Sequence, residues 1–370
     1  MPGTGDGIGV TSRVADVTLA RWAKHVSDLT VQRYPLLSIL KKKGMIKYGL
    51  TGGEMRWPIK IRDHDLQGHV DGQAKTFTRL RRTRNANLEW RGYEATEAIT
   101  LLEKLQNGGD EAIVKIFGRL EKDMRVGLIR QLGKEWYKNG DLAANAAANT
   151  WHGIESLMQG PGAQTASDEL ATSLTKTYAG QSTSYTAFKS TAVKGTDEEY
   201  GVWSPVIVNT AQNPGSGVRA FGDYADEYIR VLVNEACYGH SAEDMLDIII
   251  LTKSAYRDLL NIADDKERLV FDRGESLDLV KMGFKKTVEL DGTAITWDFG
   301  LPGTDDDSNV VQGYGFNCDK LELKLGGSEK QIWKNNSTFN SDHQANRFYF
   351  YSLGNLVFES PKFFGKLAAI

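Results

Sequence analysis

Cysteine is nearly absent from this 370-residue chain, which has two, Cys237 and Cys318. That excludes a disulfide framework and a Cys-rich zinc module. Long apolar runs are missing as well. No stretch approaches the roughly 18 apolar residues a membrane span requires. The best, residues 245–251, is short and interrupted by Asp247. The opening MPGTGDGIGV has neither the basic nor the apolar part of a secretory signal. A soluble, cytoplasmic product with no membrane partner is the expectation. Catalytic signatures are also wanting. There is no Walker loop, no strand–GxGxxG–helix unit and no GxSxG elbow. Gly3, Gly5, Gly7 and Gly9 precede any strand, so they do not read as a phosphate cradle. No internal repeat with a period of about 20–50 residues occurs.

What is present is an ordinary globular composition with uneven charge. Hydrophobic residues make up 41% and charged residues 25%, enough apolar material for a core. The net charge of -3 hides two opposed segments. Residues 41–91 carry thirteen basic and five acidic side chains, whereas residues 216–329 carry twelve basic and twenty-three acidic. Opposite signs on two long segments of one chain point to surfaces that meet in self-association.

The elements follow from periodicity. Residues 14–33 are modestly amphipathic, with Val17, Leu19, Trp22, Val26 and Leu29 on one helical face. Residues 54–93 read as a long two-stranded excursion in which Pro58 confines its strand to an edge or a bulge. Such a basic, polar pair cannot bury itself and needs a surface to lie along. Residues 99–105 form a short apolar strand or helix. A helix of some thirty residues follows over 110–139, about 45 Å long, with Leu120, Met124, Leu128 and Leu132 on its core face. Residues 161–200 read as loop with short elements. Residues 223–236 are helix-like, with Tyr228, Val231, Leu232 and Glu235 on one face. DIIILT at 247–252 is a strand buried on both sides. Residues 254–263 are helical again, and Asp291-Gly292 is a strong hairpin signal. Strands close the chain at 313–325, 348–351 and 355–359.

Candidate chemistry is thin. Asp63, His64, Asp65, His69 and Asp71 offer metal-ligand atoms but sit at the tip of a polar excursion, where a solvated loop is the better reading. Asp305, Asp307 and Asn309 imitate the start of a calcium loop, yet Val310 stands where glycine is required and no closing Glu follows. That stretch reads as an acidic turn. Cys237 and His240 lie three apart, and the cysteine reads as a small hydrophobe. Asn336-Ser337-Thr338 is a glycosylation sequon without a secretory context. The basic run 75–91, with Phe77 and Trp90 interleaved, has the composition of a nucleic-acid surface without any binding motif.

The order of segments says more than any motif. An amphipathic arm, a basic extended hairpin, a long helix, a polar middle, an α/β segment with an Asp-Gly hairpin and a closing strand pair follow one another. This order resembles the major capsid proteins of tailed bacteriophages, the Hong Kong 97-type fold. Residues 110–139 are similar to that family's spine helix, and Trp151-His152-Gly153-Ile154-Glu155-Ser156-Leu157 to the turn after it. Residues 247–252 with Ser254-Ala255-Tyr256-Arg257-Asp258-Leu259 resemble its axial strand-then-helix step. Lys281-Met282-Gly283-Phe284 leading into 288–297, and Gly313-Tyr314-Gly315-Phe316-Asn317, resemble its hairpin and finishing strand.

The resemblance implies an α+β, Hong Kong 97-like phage capsid fold. Its parts would be an N-terminal arm at 1–49 and an E-loop with return strand at 50–108. A spine helix and peripheral domain at 109–215, an axial domain at 216–329 and C-terminal strands of the peripheral domain at 330–370 would follow. It implies a non-enzymatic protein that assembles into hexamers and pentamers of an icosahedral head, built in the host cytoplasm around double-stranded DNA held by non-specific contacts. Scaffolding, portal and decoration proteins are the further partners, and no cofactor is implied. Residues 94–109 separate hairpin from helix by more than a minimal member needs. No lysine–asparagine crosslinking pair is identifiable, so covalent crosslinking is not carried over. Arg79, Arg81, Arg82 and Arg84 are the candidates for inter-subunit contact. Strand alternation sends the first two to one face and the last two to the other. An encapsulin-like compartment shares the fold but packages enzymes. An α/β hydrolase or transferase using acids of 216–329 is the rival from another class.

Overall fold

The computed structural model describes residues 34–62, 68, 71–72, 81–100, 123–124, 126–127, 129–158, 170–171, 174–194, 196–211, 220–237, 244–265, 287–305, 308–326, 334–340 and 345–370. Several expectations lie outside them: the arm at 14–33, Asp63, His64, Asp65, His69, Arg79, Leu120, Leu128, His240, Asp307 and residues 281–284.

The described chain begins with Tyr34 and the helix Pro35–Lys43, which buries Pro35, Leu36, Ile39 and Leu40. Strands β1 (Ile46–Leu50), β2 (Glu54–Lys60), β3 (Thr83–Glu89) and β4 (Arg91–Thr100) follow. Residues 129–135 are helical, as are 123, 124, 126 and 127. Met124 packs on the core, and Leu132 and Trp136 are inside it. Next come the short helix Ala143–Ala147, a 3-10 turn at Ile154–Ser156, β5 (Thr177–Tyr178), β6 (Gln181–Ser182) and β7 (Val206–Asn209). The helix Phe221–Glu235 leads to β8 (Ile248–Leu251), and the helix Lys253–Asp265 precedes β9 (Val288–Leu290) and β10 (Thr293–Trp297). The chain closes with β11 (Val310–Phe316), β12 (Leu321–Gly326), β13 (Lys334–Asn340), β14 (Ala345–Phe358) and β15 (Phe364–Ala369).

Two main sheets result. One has the order β1-β12-β14-β13, with β4 also paired to the long β14. The other runs β7-β15-β11-β8-β10-β9. This second sheet draws strands from either side of 216–329: β7 lies before that segment and β15 near the end of the chain. Segments that far apart pair through the backbone, which periodicity does not reveal.

β8 sits inside the second sheet and is buried throughout. Side chains alternate across a strand, so Ile249 and Leu251 join the helices Phe221–Glu235 and Lys253–Asp265, while Ile248 and Ile250 join the core shared with the first sheet. That is why DIIILT shows no polar alternation. The helix Phe221–Glu235 buries Phe221, Ala225, Tyr228, Ile229, Leu232 and Val233. The expected face of Val231 and Glu235 is only half-buried, because the apolar stripe runs one position later along the helix, through Ile229, Leu232, Val233 and Ala236. Leu232 lies against Gly315 and Gly365, which are paired across β11 and β15. The turn between β9 and β10 places Asp291 at φ 50° and Gly292 at φ 78°. That double left-handed geometry is what an Asp-Gly hairpin provides.

Candidate assembly surface and buried junction

The hairpin of β2 and β3 pairs antiparallel from Glu54↔Glu89 to Lys60↔Thr83. Its alternation is clean. Met55, Ile59, Ala86 and Leu88 are buried, while Glu54, Arg56, Lys60, Thr83, Asn85, Asn87 and Glu89 are exposed. The inner face packs on its own chain. Fully burying a Met, Ile or Leu side chain contributes about 1.5–3 kcal/mol, so the hairpin base is held without a neighbour. Polar bonds fasten it further. Trp57 Nε1 donates to the Glu359 carbonyl at 3.0 Å, and Asn87 N–H to the Ala179 carbonyl at 3.0 Å. Arg62 and Glu199 form an ion pair at 3.1 Å. An open groove of about 760 Å³ lies beside β2, lined by Trp57, Ile59, Arg62, Lys320 and Phe363 among others.

The candidate arginines separate on this frame. Arg81 is exposed, whereas Arg82 and Arg84 are half-buried. Arg84 shares the inner phase of Ala86 and Leu88, and its guanidinium lies 4.8 Å from the centroid of Phe188. It therefore serves its own subunit first.

A polar junction, which the sequence reading missed, lies at the end of the helical residues 129–135. Residues 151–157 turn back beneath that end, with Ile154 N–H donating to the Trp136 carbonyl at 2.8 Å and Gly153 N–H to the Lys138 carbonyl at 3.0 Å. A Cβ on Gly153 would lie 2.5–2.6 Å from three helix-end carbonyls, so the close approach needs glycine. Arg91, 8% exposed, donates to the Gly140 carbonyl at 2.6 Å and the Thr150 carbonyl at 3.0 Å. Tyr93 donates to Glu135 at 3.0 Å and accepts from Trp151 N–H at 2.8 Å. His152 Nδ1 shares a 3.1 Å hydrogen bond with Ser156 Oγ. Burial first, then the charges of Arg91 and Lys176, push His152 down to about 3, so its ring is neutral. Its 3.7 Å approach to Asp141 is therefore not an ion pair at neutral pH.

Lys366 on β15 forms a second buried knot. Its Nζ lies 2.8 Å from Glu155 Oε1 and 2.6 Å from Asp305 Oδ2, and its side chain is 1% exposed. Tyr314 donates to Glu155. Asp305 also accepts from Asn309 N–H at 2.8 Å and Asn309 Nδ2 at 3.0 Å. Burial works against the Lys366 ammonium, but the two carboxylates outweigh it and hold the amine above its ordinary value. Burial raises Glu155, with Lys366 opposing. Burial pushes Asp305 up too, yet its bonds to Lys366 and Asn309 bring it below its usual range. The stretch that imitates a calcium loop is thus a turn whose first acid faces a lysine. Asn309 closes that turn by donating to Asp305. The signals for this knot were a lysine in the apolar run Phe364–Ala369 and a Glu between Ile154 and Leu157.

Among the described residues no group of three or more His, Cys, Asp or Glu is placed to hold a metal. Cys237 lies just past its helix, with its thiol donating to the Asn234 carbonyl at 3.0 Å.

No protein-family model matches the sequence, and no curated protein does. Solved structures do. A chain of the cyanophage A-1(L) capsid is similar with a TM-score of 0.59 and 15% identity, over 94% of this chain and 95% of that one. The capsid chain of a native GTA particle gives 0.58 and 9%, over 93% of each chain. The mature capsid of bacteriophage PhiM1 gives 0.51 and 8%, over 93% of this chain and 89% of that one. At such identities the likeness is one of fold. The chain has the α+β phage capsid fold, the Hong Kong 97-like architecture expected from the order of its segments.

Proposed function

We propose that this chain is a major capsid protein, a structural and non-enzymatic subunit that assembles into hexamers and pentamers of an icosahedral head around double-stranded DNA. One observation carries the reading. The fold matches capsid chains over more than nine-tenths of both partners, not over a shared submotif. The exposed outer face of the β2–β3 hairpin suits a neighbour, and heterologous contacts that close by rotation make rings. The opposed charges of 41–91 and 216–329 would set register and association rate more than affinity. Arg79, Arg81, Arg82 and Arg84 belong to this reading as contact candidates, Arg81 foremost because it is exposed. In this reading 1–49 is the N-terminal arm, 50–108 the E-loop with its return strand, 109–215 the spine helix and peripheral domain, 216–329 the axial domain and 330–370 the C-terminal strands of the peripheral domain. The particle would be built in a host cytoplasm, with DNA meeting the shell through salt-sensitive, sequence-independent contacts.

Electron micrographs of the purified protein, with sedimentation at high concentration, test this. Rings or closed shells are expected. A stable monomer under all assembly conditions, scaffold included, would overturn it. Particles filled with a protein cargo and lacking DNA would favour the encapsulin-like alternative.

A further inference from the structure

We propose that Lys366 and Asp305 join in an intramolecular isopeptide bond, with Glu155 as the proton carrier. The three side chains are 1%, 2% and 6% exposed and sit within hydrogen-bond reach of one amine. They come from β15, the loop before β11 and the 3-10 turn Ile154–Ser156. Tyr314, fully buried, donates to Glu155. Tyr314 is the register partner of Lys366 across the sheet.

The chemistry balances without a co-reactant. Lys366 Nζ, once it has lost a proton, attacks Asp305 Cγ. The Nζ–Cγ bond forms and the Cγ–Oδ2 bond breaks. The ammonium gives up two protons in all, and both leave with Oδ2 as water. Glu155 Oε1, 2.8 Å from Nζ, accepts one of them and returns it to the departing oxygen, ending as it began. The Nζ to Oδ2 hydrogen bond of 2.6 Å supplies the path for the other. Asn309 N–H, 2.8 Å from Oδ1, is placed to hold the negative charge that develops on the oxygen that stays. Nucleophile and acid are held in contact by the fold, which replaces the concentration that a free amine and acid lack. The driving force is also local. A buried ammonium–carboxylate pair carries a desolvation penalty that a neutral amide avoids. Burial raises Glu155, which makes its carboxylate a stronger proton acceptor, while the charges that favour the Lys366 ammonium and the Asp305 carboxylate oppose the step and make it slow. The product would fasten β15 to a loop 61 positions earlier in the chain.

Intact mass of the denatured full chain decides it, measured on isolated subunits and on assembled particles. The expected result is a chain lighter by one water, with a branched proteolytic peptide joining Asp305 to Lys366. The peptide map is needed because Asp291-Gly292 can lose water by succinimide closure. Lys366→Arg and Glu155→Gln should keep the full mass. Full mass for the unmodified sequence in both states would overturn the proposal, whether or not the variants fold. So would a water loss that persists in Lys366→Arg.

Discussion

His152 shows what a single buried residue does to the acid response. Its folded form is neutral because burial, then Arg91 and Lys176, hold its value near 3 against 6.5 for a free ring. The unfolded chain therefore binds a proton that the folded chain refuses. Stability from this group is complete above about pH 6.5 and falls as the pH drops toward 3, by about 1.4 kcal/mol per unit. Glu155 and Asp298 act the other way, since burial raises both, so the total slope mixes signs. Urea denaturation at pH 7, 6 and 5 should show a steeper loss for the native protein than for His152→Gln. Parallel slopes would mean that the ring is not buried neutral. Neither His152 nor Lys366 was legible as a buried group. A histidine beside glycine carries no burial signal, and a lysine in a short apolar run hints at burial without naming its partners, which lie far along the chain.

At the scale of elements, the second sheet depends on a pair of strands that give up side chains. Gly315 and Gly365 face each other across β11 and β15 and leave room for Leu232 of the helix above. Gly365→Ala should force that helix outward and cost about 1–3 kcal/mol, read as a lowered denaturation midpoint. Adding Leu232→Ala should return part of the loss, because the two changes share one contact. Strictly additive losses would show that Leu232 does not occupy the notch. The strand Ile248–Leu251 and the Asp291-Gly292 turn could be read in advance because each is decided by neighbours in sequence. The joining of β7 and β15 to that sheet, and of β4 to β14, could not. Those pairings rest on backbone bonds between distant segments, and the side chains involved look the same in any strand order. The stripe on the helix Phe221–Glu235 was misplaced for a related reason. Val231 is apolar but flanks a stripe set by Leu232, whereas Glu235 reaches outward to Lys194 at 3.6 Å.

At the scale of the whole molecule, the hairpin arginines divide into two jobs that mutation can separate. Arg84 lies over Phe188 and faces its own subunit. Arg84→Glu removes a cation–π contact worth about 0.5–1 kcal/mol at an exposed site and more when desolvated, so it should destabilise the isolated chain. Arg81 is exposed two residues before β3, and the proposed function gives it a neighbouring subunit as partner. Arg79→Glu with Arg81→Glu should leave a soluble subunit with normal circular dichroism that no longer forms shells. Each exposed pair contributes only about 0–1 kcal/mol, but the contact repeats in every subunit of a closed particle, so small losses accumulate. Raised salt should weaken assembly of the native chain in the same direction, since exposed charges are screened beyond about 8 Å at physiological ionic strength. A nucleic-acid role would instead give intact particles that retain less DNA. Normal shells with normal DNA content from the double reversal would remove Arg79 and Arg81 from the subunit interface altogether.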